Sequence, residues 1–216
     1  MAAIVFDLDG TLIDSAPDIH RSLSVALEAE GRPVLTLDVV RSFIGNGVAV
    51  LVRRAMGVSD LAGDEVHARM LARFMAAYDA APADLTRPYP GVAEALAGLK
   101  AAGHKLAVCT NKPEAISRAI LASLNLAPFF DDIVGGDRLP ERKPDPRPLH
   151  TAFAALGAPS GLYVGDSEVD AETARAAGAP FILFTRGYRS KSVAELAPVA
   201  SFDDFAGLAA IVAART

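Results

Sequence analysis

The chain opens with Met1-Ala2-Ala3-Ile4-Val5-Phe6-Asp7-Leu8-Asp9-Gly10-Thr11, an apolar run that ends at two acids and a glycine. Successive side chains of a β-strand point to opposite faces, so Asp7 and Asp9 are predicted to face one site while Leu8 turns away. Two carboxylates held that close repel each other unless a cation or a shared proton compensates them. Gly10 allows a sharp turn or a close approach to a ligand. This stretch therefore predicts a strand that ends at a site for a metal ion and an anion, which is the first indication of phosphate chemistry.

Further apolar runs along the chain predict the rest of a parallel β-sheet. Each is followed by a turn and then by a helical pattern, which is typical of a sheet covered by helices on both faces. The predicted strands are residues 3–7, 105–110, 133–135, 162–165 and 181–185. Ligands of such sheets bind beyond the carboxyl ends of the strands, and four of these five runs end in polar or glycine-rich segments. The predicted fold class is α/β, with a doubly wound parallel sheet.

A long stretch after the first strand interrupts this alternation. Its apolar residues have helical spacing without a convincing strand, and turn-rich segments flank it at both ends. We therefore predict a helical cap domain over residues 15–87, inserted after the first strand, and a catalytic core formed by residues 1–14 and 88–216. An insert that leaves the sheet at the end of a catalytic strand lies over the site and can act as a lid. Asp14 and Ser15 are predicted to cap the first helix of the insert.

The composition is that of a globular protein and argues against several classes of partner. The 216 residues are 51% hydrophobic and 22% charged, with a formal net charge of -5, whereas a nucleic-acid-binding protein would show a basic face or stripe. The chain begins without the basic leader of a signal peptide, and no apolar run approaches membrane-spanning length. The single cysteine, Cys109, lies in an apolar run and is predicted to be buried and unreactive. We expect a cytoplasmic protein that acts on a small anionic molecule and binds neither nucleic acid nor membrane; no oligomeric state is predicted.

The polar segments at the strand ends resemble, in order, the four motifs of the haloacid dehalogenase (HAD) superfamily. The segments are residues 7–11, Thr110-Asn111, Lys143-Pro144, and Gly165-Asp166-Ser167 with Asp170. The resemblance covers essentially the whole chain and implies a HAD-like Rossmannoid core with an inserted cap. Further segments resemble the phosphoglycolate phosphatase group of the superfamily, and they are residues 44–47, 89–92, 135–137, 143–146, 165–167 and 176–178.

The resemblance implies roles for three of the acids. It makes Asp7 the nucleophile, which forms an aspartyl-phosphate that water then hydrolyses. The Mg²⁺ ligands that it implies are the Asp7 carboxylate, the main-chain carbonyl of Asp9 and the Asp166 carboxylate. The Asp9 side chain is then free to act as general acid for the leaving alcohol and as general base for the water. Oxygen ligands of this kind suit Mg²⁺, and carboxylates serve as nucleophiles in other phosphate-transferring enzymes.

The remaining motif residues are expected to bind the phosphate or to support the site. Thr110 and Asn111 lie where a strand gives way to a helix, and hydroxyl and backbone N–H groups at such a place can hold a phosphate. By resemblance, Lys143 supplies a compact positive charge to the phosphate and to the nucleophile, and Asp170 supports the metal indirectly or through Lys143. An equal alternative for Asp170 is an acid in the first turn of a helix, where the helix dipole favours it.

Substrate specificity is expected to come from the cap. Asn46, Arg53 and Arg54 are the candidates to contact the substrate beyond its phosphate, because the guanidinium fork of an arginine binds both oxygens of a carboxylate. The alternative for each arginine is an exposed basic helix face.

The motifs favour a Mg²⁺-dependent phosphatase for a small phosphomonoester, with 2-phosphoglycolate as the expected substrate. Asp9 favours phosphate esters, because dehalogenases and phosphonate hydrolases of the superfamily normally lack an acid at this position. Three alternatives stay open: a phosphatase for a sugar phosphate or pyrophosphate, a β-phosphoglucomutase-like phosphotransferase, and a non-catalytic protein that binds a phosphorylated ligand.

Overall fold

The computed structural model describes residues 1–57 and 64–215. Its strands are β1 (Ala3–Phe6), β2 (Ile13–Asp14), β3 (Arg87–Pro88), β4 (Lys105–Cys109), β5 (Asp132–Val134), β6 (Leu162–Gly165), β7 (Phe181–Phe184) and β8 (Ala200–Phe202). Six of them form one parallel sheet in the order β5-β4-β1-β6-β7-β8, while β2 and β3 form a separate antiparallel pair. The first strand of the chain therefore lies inside the sheet, between β4 and β6.

The helices follow the strands along the chain. They are α1 (Ala16–Glu28), α2 (Leu37–Arg41), α3 (Val48–Met56), α4 (Asp64–Ala80), α5 (Val92–Ala101), α6 (Glu114–Ser123), α7 (Arg147–Ala155), α8 (Glu168–Ala177), α9 (Val193–Leu196) and α10 (Leu208–Ala213). Among the helices of the described ranges, none combines the length and the apolar character needed to cross a membrane.

Helices cover both faces of the sheet because every residue of β1 is apolar and buried. Ile4 and Phe6 belong to one apolar core, which includes buried residues of α5, α6 and α10. Ala3 and Val5 point the other way, into a second core with residues of α7 and α8. The two-residue period of the strand thus divides its side chains between two helical layers. This confirms the predicted doubly wound α/β sheet.

The five predicted strands are present: β6 has the predicted bounds, and the bounds of the other four differ from the predicted ones by one residue. The sequence analysis did not predict the sixth strand of the sheet, β8, or the short strands β2 and β3. β8 has three residues, of which only Phe202 is buried, and it pairs on one side with β7. Such a short edge strand carries no apolar run that sequence periodicity could detect.

The helices α1 to α4 lie between β2 and β3, where the chain leaves the first strand and returns to the core. Ile13 pairs with Pro88 and Asp14 with Arg87, so the two connecting segments run side by side. Beyond this pair, α1 packs against α2 and α4, and α3 packs against α4. These are the helices of the segment predicted as a cap, and the domain boundaries at 15–87 stay a prediction.

Candidate active site

The carboxyl ends of three neighbouring strands, β4, β1 and β6, place the predicted site residues at one edge of the sheet. Asp7 follows β1, Thr110 follows β4 and Asp166 follows β6. All three side chains are buried. The parallel arrangement therefore brings together residues that are 56 to 159 positions apart in the sequence.

Lys143 joins the first and fourth motifs. Its Nζ lies 2.8 Å from Asp7 Oδ1 and 2.8 Å from Asp170 Oδ1, and it donates to the hydroxyl of Tyr163 at 2.8 Å. All of these side chains are almost completely buried. Burial lowers the pKa of Lys143, but the charges of Asp170 and Asp7 outweigh it and raise the pKa above its usual range. Lys143 is therefore a permanent positive charge next to Asp7.

Asp170 makes the contacts of both interpretations that the sequence left open, and its support of a metal stays a prediction. It lies in the first turn of α8, where its Oδ2 accepts from the N–H groups of Asp166 and Ser167 at 3.1 and 3.0 Å. Its Oδ1 contacts Lys143 and accepts from the Tyr163 hydroxyl at 2.8 Å. Burial raises the pKa of Asp170, but the Lys143 ammonium outweighs it, and the pKa falls below its usual value. Tyr163 was missed because it occupies an inward position of an apolar strand and looks like a core residue.

Asp9 contacts a second lysine, which the sequence analysis did not place in the site. Lys112 Nζ lies 2.9 and 3.1 Å from the two carboxylate oxygens of Asp9. The Ser15 hydroxyl donates to Asp9 Oδ1 at 2.5 Å. Ser15 holds the N-cap position of α1, as expected, but its side chain makes no capping bond; the Ala16 N–H donates to Asp14 Oδ1 at 3.3 Å. The Ser15 hydroxyl orients Asp9 instead.

Three buried carboxylates could hold a metal ion. Ligand oxygens of Asp7, Asp166 and Asp170 lie within 4.8 Å of one another. This group shares Asp7 and Asp166 with the predicted ligand set. The two sets differ in the third ligand, which is Asp170 here and the main-chain carbonyl of Asp9 in the prediction. Asp170 is already saturated by Lys143 and backbone N–H groups, so we retain the predicted set of Asp7, Asp9 and Asp166 as a proposal.

The surroundings of Asp166 fit a small cation. Thr11 Oγ1 donates to Asp166 Oδ1 at 2.9 Å, and the Tyr188 N–H donates to Oδ2 at 2.6 Å. Two glycines enclose the same carboxylate: a Cβ at Gly10 would lie 2.5 Å from Asp166 Oδ2 and one at Gly187 would lie 2.2 Å from it. Any side chain at these positions would displace the carboxylate. The two glycines therefore let the chain close tightly around a buried carboxylate, and a carboxylate oxygen is a ligand that suits a small, hard cation.

The balance of charge at the site also fits a divalent cation. Within the described ranges, the site holds four carboxylates against two ammonium groups, a difference of two negative charges: Asp7, Asp9, Asp166 and Asp170 against Lys112 and Lys143. Burial raises the pKa of Asp7 to about 7, against the opposing charge of Lys143. Burial together with the charges of Asp170 and Asp7 raises the pKa of Asp166 well above its usual value. Oxygen ligands with surplus negative charge are the environment that Mg²⁺ prefers.

Thr110 and Asn111 lie at the predicted place, between β4 and α6, and both are buried. The Asn111 side chain is occupied: Nδ2 donates to the carbonyls of Gly45 and Lys143 at 2.9 and 3.0 Å, and Oδ1 accepts from the Lys143 N–H at 3.0 Å. Asn111 therefore fixes the backbone of Lys143 and ties it to the segment after α2. The prediction that this segment binds phosphate therefore rests on two groups, the backbone N–H of Asn111 and the hydroxyl of Thr110.

A cavity of about 40 Å³ lies next to Asp7 and Asp9. Thr110, Asn111 and Lys112 line it from the core, and the helices α1, α3 and α4 line it with Ile19, Leu51, Phe74 and Tyr78.

The predicted specificity residues lie away from this cavity. Asn46 and Arg54 line a separate cleft of about 460 Å³ towards α8. Arg53 pairs with Asp64 at 3.5 Å, and both side chains are largely exposed. The role of Asn46, Arg53 and Arg54 in substrate binding stays a prediction. The surface ion pair of Arg53 fits the alternative named above, an exposed basic helix face.

Comparisons with known proteins agree with this site. The model of the haloacid dehalogenase-like hydrolase family matches residues 4–184. A phosphoglycolate phosphatase from Cereibacter sphaeroides is 52% identical over 197 residues, which are 91% of this chain and 90% of that protein. A crystal structure of a predicted phosphoglycolate phosphatase from Haemophilus somnus has a TM-score of 0.90 at 35% identity and covers 98% of this chain and 97% of its own.

A further solved structure contains phosphate. It is CbbY from Rhodobacter sphaeroides in complex with phosphate, with a TM-score of 0.75 at 26% identity over 96% of both chains. The family match, the relatives and the buried carboxylates at the strand ends agree with one another. The chain therefore belongs to the haloacid dehalogenase-like hydrolase family and is a phosphatase of that family.

Proposed function

We propose that this enzyme hydrolyses 2-phosphoglycolate to glycolate and phosphate, with Mg²⁺ as cofactor and Asp7 as nucleophile. The observation that carries the proposal is the placement of Asp7 and Asp9 on one small cavity, each with its own lysine. A nucleophile and a proton donor must approach the phosphorus and the leaving oxygen of the same ester, and two carboxylates on one cavity support this assignment. The substrate is proposed from the likeness to relatives named phosphoglycolate phosphatase.

In the first step Asp7 attacks the phosphorus. With Oδ1 held by Lys143, Oδ2 forms the new bond to phosphorus while the bond from phosphorus to the ester oxygen breaks. Asp9 gives its proton to the ester oxygen, so that glycolate leaves as the alcohol and an aspartyl-phosphate remains. Lys143 balances the negative charge that accumulates on the phosphoryl oxygens.

In the second step water replaces Asp7 on the phosphorus. The Asp9 carboxylate takes a proton from the water, whose oxygen attacks the aspartyl-phosphate, and Asp7 leaves as a free carboxylate. Asp9 ends the cycle protonated, as it began. Ser15 and Lys112 contact the Asp9 carboxylate and hold it in place through both steps. When bound to Asp7, Asp9 and Asp166, Mg²⁺ neutralises the phosphate charge and orients the phosphoryl group.

The size of the cavity supports a small leaving group. A cavity must have about 10–15 Å³ to hold one water, so a cavity of about 40 Å³ favours a small leaving group over a sugar ring. The helices that close it belong to the segment 15–87, which we propose to be a cap domain. Their apolar side chains exclude bulk water from the aspartyl-phosphate.

The proposal is tested by kcat/KM, measured with Mg²⁺ and with a chelator. The panel is 2-phosphoglycolate, several sugar phosphates, pyrophosphate and β-glucose 1-phosphate. We expect metal-dependent release of phosphate that is most efficient with 2-phosphoglycolate. A better substrate elsewhere in the panel would overturn the substrate assignment, and isomerisation of the glucose phosphate without release would make the enzyme a phosphomutase.

A further inference from the structure

Two polar groups that line the cavity neither attack phosphorus nor transfer a proton in the proposed steps. They are the ammonium of Lys112, from the segment after β4, and the hydroxyl of Tyr78, from α4. Lys112 Nζ lies 4.7 Å from the centroid of the Tyr78 ring. Apolar side chains of α1, α3 and α4 complete this side of the cavity. The two groups therefore form one polar spot on an otherwise apolar wall.

The Tyr78 hydroxyl is a buried donor that lacks an acceptor. Tyr78 is 1% exposed, and in the part of the chain that the structure describes its hydroxyl donates to no acceptor. Burial raises the pKa of Tyr78 to about 12, so the proton stays on the oxygen at neutral pH. A buried donor without an acceptor costs free energy. Its position on a cavity indicates that a bound ligand supplies the acceptor.

Lys112 provides the charge that such a ligand would need. Its side chain is 3% exposed, and its Nζ contacts both carboxylate oxygens of Asp9 at 2.9 and 3.1 Å. The ammonium is a point charge with three donors, so an anion that enters the cavity can share it with Asp9. By contrast, the exposed Arg53 pairs with Asp64 at 3.5 Å.

The chemistry of the substrate places a carboxylate at this spot. In 2-phosphoglycolate a single carbon separates the carboxylate from the ester oxygen. A residue that protonates the ester oxygen, as proposed for Asp9, therefore has the substrate carboxylate close to its own neighbours. Lys112 and Tyr78 are those neighbours, since Lys112 contacts Asp9 directly and Tyr78 directly adjoins Lys112.

We propose that Lys112 Nζ and the Tyr78 hydroxyl bind the carboxylate of the leaving group and thereby select phosphomonoesters with a carboxylate next to the ester carbon. The inference rests on the proposed function, because it takes Asp9 as the group that protonates the leaving oxygen. It also assigns a reason for the polar spot: the substrate anion satisfies the donor of Tyr78 and shares the charge of Lys112.

The test compares 2-phosphoglycolate with 2-hydroxyethyl phosphate, in which an uncharged hydroxymethyl group, one heavy atom smaller, replaces the carboxylate. The measured quantity is the ratio of their kcat/KM values. We expect Lys112→Met and Tyr78→Phe each to lower this ratio by about 10- to 100-fold, the loss typical of a hydrogen bond to a charged group. Arg69→Met is the matched control: it removes a cation of α4 that pairs with Glu30 at 3.1 Å, outside the cavity, and should leave the ratio unchanged.

The outcomes separate this inference from the proposed function. Equal losses for both substrates in Lys112→Met and Tyr78→Phe would show that the two residues only position Asp9, and would overturn the carboxylate assignment. Arg53→Met and Arg54→Met test the rival candidates, and a fall of the ratio in either of them, with none in Lys112→Met, would move the carboxylate site away from Lys112. A wild-type enzyme with no preference for 2-phosphoglycolate would instead refute the proposed function and, with it, the inference. The Tyr78→Phe variant keeps the aromatic ring, so its result stands even where Lys112→Met folds poorly.

Discussion

Lys143 and Asp170 form a buried ion pair, with Nζ 2.8 Å from Oδ1 and side chains that are 2% and 0% exposed. Asp170 also accepts from two backbone N–H groups at the start of α8, so one carboxylate connects the third and fourth motifs. Removing one partner of a buried pair leaves the other charge without full compensation.

We therefore expect Asp170→Ala to lower the free energy of unfolding by about 3–5 kcal/mol. Urea unfolding followed by circular dichroism measures this. Glu172→Ala is the control: Glu172 lies on the same helix, half-exposed, 3.9 Å from Lys191, and such surface pairs contribute about 0–1 kcal/mol. Equal stability of the two variants would contradict a structural role for Asp170.

Asp7→Asn tests the nucleophile. We expect kcat to fall by at least about 10³-fold, the scale seen when a nucleophile is removed, because an amide does not form the acyl phosphate. The fold should survive for two reasons. Burial already raises the pKa of Asp7 to about 7, so this site tolerates an uncharged side chain. Lys143 also keeps its ion pair with Asp170. Turnover and thermal unfolding are measured on the same preparation, and normal turnover would remove Asp7 from this role.

Asp9→Asn tests the proton transfer separately from metal binding. The expected loss in kcat is about 10²- to 10⁴-fold, while Mg²⁺ still binds, because the predicted ligand from Asp9 is its main-chain carbonyl. The loss should be smaller for p-nitrophenyl phosphate than for 2-phosphoglycolate, since nitrophenolate leaves without a proton. If both substrates lose the same factor, Asp9 does not protonate the leaving group.

Gly187→Ala tests the metal site around Asp166. A Cβ at this position would lie 2.2 Å from Asp166 Oδ2, so the carboxylate must move. We expect the Mg²⁺ concentration for half-maximal activity, and the dissociation constant from calorimetry, to rise by about 10- to 100-fold. Gly98→Ala is the control: no atom lies within 4 Å of its Cβ, and alanine within α5 should stabilise the protein by about 0.5–1 kcal/mol. Unchanged Mg²⁺ affinity in Gly187→Ala would argue against Asp166 as a ligand.

Glu114 gives a prediction on pH. It begins α6, and its carboxylate accepts from Arg138 and Arg118 and from the Gly135 N–H. Partial burial raises the pKa of Glu114, but these bonds outweigh it and lower the pKa from 4.5 to about 2. The stability that it contributes is therefore complete above pH 4.5 and is lost as the pH falls towards 2.

We expect Glu114→Gln to be less stable than the wild type by about 1 kcal/mol at pH 7, because solvent screens these partly exposed pairs. The difference should shrink steadily between pH 4.5 and pH 2. Urea unfolding across this range measures it, and Glu94→Gln on the exposed face of α5 is the control. A difference that stays constant with pH would mean that the ion pairs of Glu114 add no stability.

The sequence alone determined the sheet and the identity of most acids at its edge. Asp7 and Asp9 follow a buried strand, and Asp166 follows another. Because parallel strands place their carboxyl ends at one edge, a local pattern predicts which residues meet there. The missed strand β8 has only one buried residue and so no such pattern.

The tertiary structure decided which side chains complete the site. Lys112 contacts Asp9 across 103 positions of the chain. Tyr78 comes from α4, and Gly187 packs against Asp166 from the segment after β7. In the sequence these are an ordinary lysine, an apolar helix position and a loop glycine. Their roles depend on the packing of elements that are distant along the chain, and no local period or motif records such packing.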